Sequence, residues 1–179
     1  MTSSNNKENM KKNLIYAAAL MAGITAIQAC QKEPVTDLTG TYTYKTSGTV
    51  TLEYVDPGNG EKTTHIMNLV NEEGQMTLAG TTSGELLIAC NAIGGDAYTF
   101  TGSLNDAGTL LINGNPEKHI FVKSASLTVG HGNVRFAGSG KLYDDILAFS
   151  CEYMGTVTVA GVGMSIIGSD VEIVAKRNK

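Results

Sequence analysis

The stretch LTGTYTYKTSGTVTLEYV, residues 38–55, decides the fold class. Thr41–Thr46 alternates, which puts Tyr42 and Tyr44 on one face. Thr49–Val55 alternates again, with Val50, Leu52 and Tyr54 together. A period of two is that of a strand with one face buried. Threonine, valine and tyrosine suit a pleated, half-buried surface.

The same grammar continues downstream. Asp56-Pro57-Gly58-Asn59-Gly60 is a turn cluster. Lys62–Val70 and Gln75–Thr82 flank Asn71-Glu72-Glu73-Gly74, a loop of hairpin length. Leu86–Ala92 and Ala97–Leu104 are joined across Gly94-Gly95-Asp96. Asn105-Asp106-Ala107-Gly108 turns into Thr109–Asn113. His119–Val129 follows the break at Gly114-Asn115-Pro116. Gly130-His131-Gly132-Asn133 reads as a turn into Val134–Gly138. Ile146–Tyr153, Thr156–Val162 and Asp170–Ala175 complete the set. About ten strands at this spacing predict an all-β domain, a single antiparallel β-barrel or sandwich, over residues 38–179. The one departure expected is a short helical turn near Lys141–Asp145. Segments 76–104 and 134–163 echo each other weakly, with Cys90 and Cys151 at matching places. Both duplication and convergence of strand sequences explain that echo.

The N-terminal region has a different character. Lys11 and Lys12 precede an uncharged apolar run, Leu14–Ile27. At 14 residues it is short of the ~20 a bilayer span needs. It suits the core of a signal peptide behind a positive start. The run ends in Ile27-Gln28-Ala29-Cys30, which resembles a lipobox. That resemblance implies cleavage between Ala29 and Cys30, with the Cys30 sulfur and new amino end acylated. Residues 1–29 are then a lipoprotein signal peptide, with Met10 as an alternative start, and residues 30–37 a polar tether. Eight residues reach at most ~26 Å. Cys30-Gln31-Lys32-Glu33 also resembles the charged signal of surface-exported lipoproteins of Bacteroides-type bacteria. The implied location is the outer membrane, on its periplasmic or cell-surface face, held by lipid with two or more acyl chains.

Removing residues 1–29 takes away Lys7, Lys11, Lys12 and Glu8. From 13 basic and 17 acidic residues, 10 and 16 remain, and the net charge moves from −4 to −6. Such a chain has no basic stripe for nucleic acid. Cys90 and Cys151 lie in the apolar runs LLIAC and LAFSC. An exported protein permits a disulfide between them, and two buried thiols fit as well. No CxxC, calcium-loop or phosphate-loop spacing occurs, so neither metal nor cofactor is expected. His65, His119 and His131 stand apart in sequence, the first two at partly exposed strand positions and the third in a turn. The adjacent acids Glu72-Glu73 and Asp144-Asp145 face opposite ways on a strand, so neither makes an acid–base pair. Ser139 lacks the GxSxG elbow. No residue set supports an enzyme. The scattered tyrosines, Tyr42 to Tyr153, fit half-buried packing better than a glycan platform.

An acylated leader followed by LTGTYTYKTSGTVTLEY and AGSGKLYDDILAFSCEY resembles the Bacteroides-type lipoproteins with a calycin-like β-barrel. The resemblance implies a non-catalytic barrel that binds a small apolar ligand or serves an accessory role at the envelope. A structural or assembly component, such as a pilus subunit, is the alternative. It would require an unpaired strand able to join another chain, for which Met164–Ala175 is the candidate. No particular protein partner is implied.

Overall fold

Alternation becomes ladder pairing in a computed structural model that describes residues 37–179. Met10, Ala29, Cys30 and the tether through residue 36 lie outside the described residues. The strands are β1 Gly40–Val55, β2 Lys62–Leu69, β3 Glu72–Gly80, β4 Leu86–Ala92 and β5 Ala97–Leu104. They continue with β6 Leu110–Ile112, β7 Glu117–Ser124, β8 Leu127–Tyr143, β9 Ile146–Val159 and β10 Val162–Arg177. All pairings are antiparallel and the sheet closes on itself.

The architecture follows from four long strands, β1, β8, β9 and β10, of 16, 17, 14 and 16 residues. One edge of β1 pairs with β10. Its other edge serves two partners, residues 40–46 with β3 and residues 49–55 with β2. On β8, residues 127–135 take β7, and Ser139 and Gly140 take β6. The long strands are therefore closed twice. At one end β3, β4, β5 and β6 complete an eight-stranded ring. At the other, β2 and β7 complete a ring with β1, β8, β9 and β10. The second closure is slight: Asn68–Lys123, Leu69–Val122 and a bond from Val70 N to Phe121 O at 2.8 Å.

Side-chain size follows ring size, because a wider ring needs larger residues to fill it. The eight-stranded end buries Tyr42, Tyr44, Phe100, Phe136 and Phe149. Phe100 and Phe136 meet edge to face at 5.3 Å. The narrower end is packed by smaller residues such as Val50, Leu52, Ile120, Val122 and Val157. Arg177 plugs the wide mouth. Its guanidinium donates to Tyr42 Oη at 2.8 and 3.1 Å and to the Asp37 carbonyl at 2.6 Å.

Several sequence expectations change. Thr41–Thr46 and Thr49–Val55 are one strand. Gly48 does not end it but bends it, at φ +143°, where a Cβ would sit 2.1 Å from the Asp170 carbonyl oxygen. Residues 71–74 are not a hairpin loop, since β2 and β3 lie end to end along one edge of β1. The turn expected at 130–133 lies inside β8, and the chain reverses at Ala125-Ser126 instead. Lys141–Asp145 holds no helical turn. It is the end of β8 and a two-residue reversal with Asp144 at φ +56°. Met164–Ala175 is not an open edge: residues 165–175 lie along β1, and β9 pairs with Met164, Ser165 and residues 171–175 on the other side, with the β9 ladder interrupted at 166–170.

Candidate functional site

The junction of the two rings needs side chains that neither closure can fill. The chain leaves β2 at Leu69, swings across, and re-enters the sheet as β3 at Glu72. Strand β7 begins on the facing side with Glu117 and Lys118. Between them opens a cleft of about 360 Å3. Its walls come from the β2–β3 crossing, from the β4–β5 turn at 92–96 and from β7.

A polar layer forms the floor. Lys118, only 6% exposed, points inward. Its Nζ lies 3.0 and 3.1 Å from the two Glu72 carboxylate oxygens and 3.1 Å from Tyr98 Oη. The ammonium also sits 4.4 Å from the Tyr98 ring centroid. Tyr44 and Tyr98 each donate a hydroxyl hydrogen to Glu72 Oε1, at 2.8 and 3.1 Å. A buried charge pair is tolerable when its remaining hydrogen-bonding capacity is met, and here it is. Burial, and after it Glu72, pushes the Tyr44 phenol far above its ordinary range. Burial does the same to Tyr98. Both therefore stay protonated and remain donors.

Two further residues that line the cleft, Thr46 and Tyr153, have buried hydroxyls with no hydrogen bond to the protein. Both residues are buried. Burial holds the Tyr153 phenol well above its ordinary range, so it too is a donor. An unpaired buried polar group costs ~1–3 kcal/mol. Two such groups stand on residues of the same cleft. Leu69, Ile120 and Phe121 supply apolar wall, and Ile93, 84% exposed, stands at the rim.

Sequence reasoning did not assemble this site, whose acid and ammonium are 46 residues apart. It did separate the paired acids. Glu72 faces the cleft, while Glu73 turns outward to Lys45 at 2.8 Å. Cys90 and Cys151 are free and buried, and burial pushes both thiols up to about 12. His65 is exposed and His119 half-buried. His131 sits on strand β8 rather than in a turn, exposed, with its ring 5.4 Å from that of His119. The His119 ring is held at Nδ1, 2.7 Å from Asn133 Oδ1. No group of three or more His, Cys, Asp or Glu placed to hold a metal occurs among the described residues. Ser139 lies mid-strand between Leu111 and Ser150. Tyr42, Tyr44 and Tyr153 are core residues, and Tyr143 is exposed.

No family model matches the chain, and no curated protein does. Among solved structures, the chain is similar to a protein of unknown function from the DUF3598 family of Nostoc punctiforme. The identity is 11% and the TM-score 0.37, over 82% of this chain and 51% of that one. The chain thus spans about half the length of that structure.

Proposed function

We propose that this chain is a lipid-anchored envelope protein whose β-barrel is a non-catalytic carrier or sensor of a small ligand. The observation that carries the binding role is the pair of unsatisfied buried hydroxyls on Thr46 and Tyr153, residues that line a cleft of about 360 Å3. That volume lies at the lower end of ligand sites, ~300–1,000 Å3. The chemistry narrows the ligand. Lys118 is neutralised by Glu72, so the floor offers no net charge to an ion. The unmet groups are hydroxyls, one of them a protonated phenol. The fitting ligand is uncharged, with a hydroxyl or carbonyl for Tyr153 and Thr46 and an apolar part for Leu69 and Ile120. It occupies the junction, because aromatic side chains fill the wide ring.

The anchor rests on Lys11-Lys12, Leu14–Ile27 and Ala29-Cys30. It places the barrel at a membrane, on the outer-membrane location that the leader implies. Mass spectrometry of the membrane fraction tests both parts. Wild-type protein should carry acyl mass on Cys30, and Cys30→Ala should not. Under native conditions it should retain a non-covalent adduct that denaturation releases. Soluble wild-type protein without acyl mass would remove the anchor. A bare barrel that takes up no uncharged amphiphile from a cell extract would remove the binding role.

A further inference from the structure

Asp37 is held by Arg177, whose Nη2 donates to the Asp37 carbonyl at 2.6 Å. The backbone N–H of the same Arg177 donates to the Asp145 carbonyl at 2.7 Å. Asp145 belongs to the reversal between β8 and β9. Arg177 thus links Asp37, where the tether joins the barrel, to that hairpin tip.

The outer face beside the tip has a particular composition. Leu142, Leu147 and Ala175 are buried, so their strand neighbours point outward. The ladder aligns Tyr143, Ile146, Lys176 and Thr43 in one row across β8, β9, β10 and β1. The next row is Lys141, Ala148, Val174 and Lys45. Tyr143 is 56% exposed, Ile146 43% and Val174 38%. Two rows therefore hold an amphipathic aromatic, three aliphatics, a threonine and three lysines, of which Lys45 is paired with Glu73. Tyrosine is enriched where one end of a side chain is apolar and the other wet, and lysine stems lie along apolar surface with the ammonium in water. Among the acids nearby, Glu73 is paired with Lys45, Glu172 lies one row further from the tip, and Asp144 and Asp145 occupy the reversal itself. Carboxylates at the tip oppose insertion of the hairpin end-on but not contact along its side.

We infer that this face, centred on Tyr143, Ile146 and Lys176, rests on the surface of an anionic lipid bilayer. The inference rests on the acylation of Cys30 proposed above. The tether of residues 30–37 reaches at most ~26 Å. Exposed apolar residues also occur at the opposite end of the barrel, Ile66 and Leu127 among them. That end lies about nine residues further along β1, roughly 30 Å, and points away from where the tether joins. The near face has the position, and there Lys141 and Lys176 attract anionic lipid beside the carboxylates of Asp37, Asp144, Asp145 and Glu172; a second weak contact adds to an acyl anchor.

The chain contains no tryptophan, so a single one is an unambiguous reporter. Full chains with Tyr143→Trp or Leu127→Trp are recovered from membranes and checked for acyl mass. They are then reconstituted into phosphatidylglycerol-containing vesicles with brominated acyl chains. The tryptophan at 143 should be blue-shifted and quenched several-fold more than that at 127. Adding Lys141→Glu and Lys176→Glu, at exposed or half-exposed positions, should reduce that quenching while the acyl anchor keeps the protein on the vesicle. Equal quenching at both positions in acylated protein overturns the docking face and leaves the anchor standing. Absence of acyl mass overturns the anchor, and the docking face with it.

Discussion

The two rings are closed by the same four long strands yet differ in what they enclose. The eight-stranded end is filled. Tyr42, Tyr44, Phe100, Phe136 and Phe149 occupy its interior, and Arg177 plugs its mouth. The narrower end is sealed only by the brief contact of β2 with β7, and where the two closures meet the wall parts. Stability is therefore expected to reside in the wide ring, and the proposed binding site lies at the junction. Polar residues follow the same division. Lys118, Glu72, Tyr44 and Tyr98 satisfy one another, while Thr46 and Tyr153 are left over.

The largest effect should come from the filled ring. Phe136→Ala should cost ~3–5 kcal/mol, since the ring contacts with Phe100, Tyr98 and Tyr153 cannot be replaced by collapse. Urea unfolding measures it, and a loss under 1 kcal/mol would mean that the wide ring is not the stable half.

Lys118→Met comes next. It leaves the Glu72 charge half-buried without its cation, at a cost toward the lower end of ~3–5 kcal/mol because the cleft admits water. The double variant Glu72→Leu/Lys118→Met should return close to wild-type stability. A double variant as unstable as the single would show that the pair organises the junction rather than merely balancing charge.

Alkaline pH probes the filled ring through its thiols. Cys90 and Cys151 stay protonated to about 12 in the folded barrel, against an ordinary value of 9.0. Between these values the unfolded chain has released protons that the folded chain keeps. Stability should therefore fall as pH rises from about 9 toward 12, by up to ~1.4 kcal/mol per pH unit for each thiol. The Tyr44, Tyr98 and Tyr153 phenols act in the same direction. A denaturant midpoint flat from pH 8 to 11 would contradict the burial. Smallest of all, Ile120→Val at the cleft wall should cost ~0.5–1.5 kcal/mol, a modest loss at a site with room beside it.

The division between the rings also separates what could be read from residues alone. Strand content was legible, because Tyr42/Tyr44 and Val50/Leu52/Tyr54 alternate locally. Pairing was not. One edge of β1 serves β2 and β3 in succession, and nothing within residues 69–74 distinguishes a crossing from a hairpin. Glycine misled for a physical reason. Gly130 and Gly132 resemble turn residues, but a Cβ there would sit 2.5 Å from Thr158 O and 2.4 Å from Thr156 O. They permit close strand approach in mid-β8, while the actual reversal uses Ala125 at φ +52°. The cleft floor was illegible because Glu72, Tyr98 and Lys118 come from three separate strands. The alternation rule did locate one member, by turning Glu72 and Glu73 to opposite faces.

Tyr153→Phe tests the central claim most directly, since it removes one unsatisfied hydroxyl and nothing else. Unfolding free energy and native mass spectrometry would be measured on the same preparation. If the hydroxyl is held for a ligand, the variant should be at least as stable as ligand-free wild type, by up to ~1–3 kcal/mol. It should also lose the non-covalent adduct that wild type retains. A variant that is less stable than ligand-free wild type, with adduct retention unchanged, would show that Tyr153 is a structural residue and that the cleft is not the binding site.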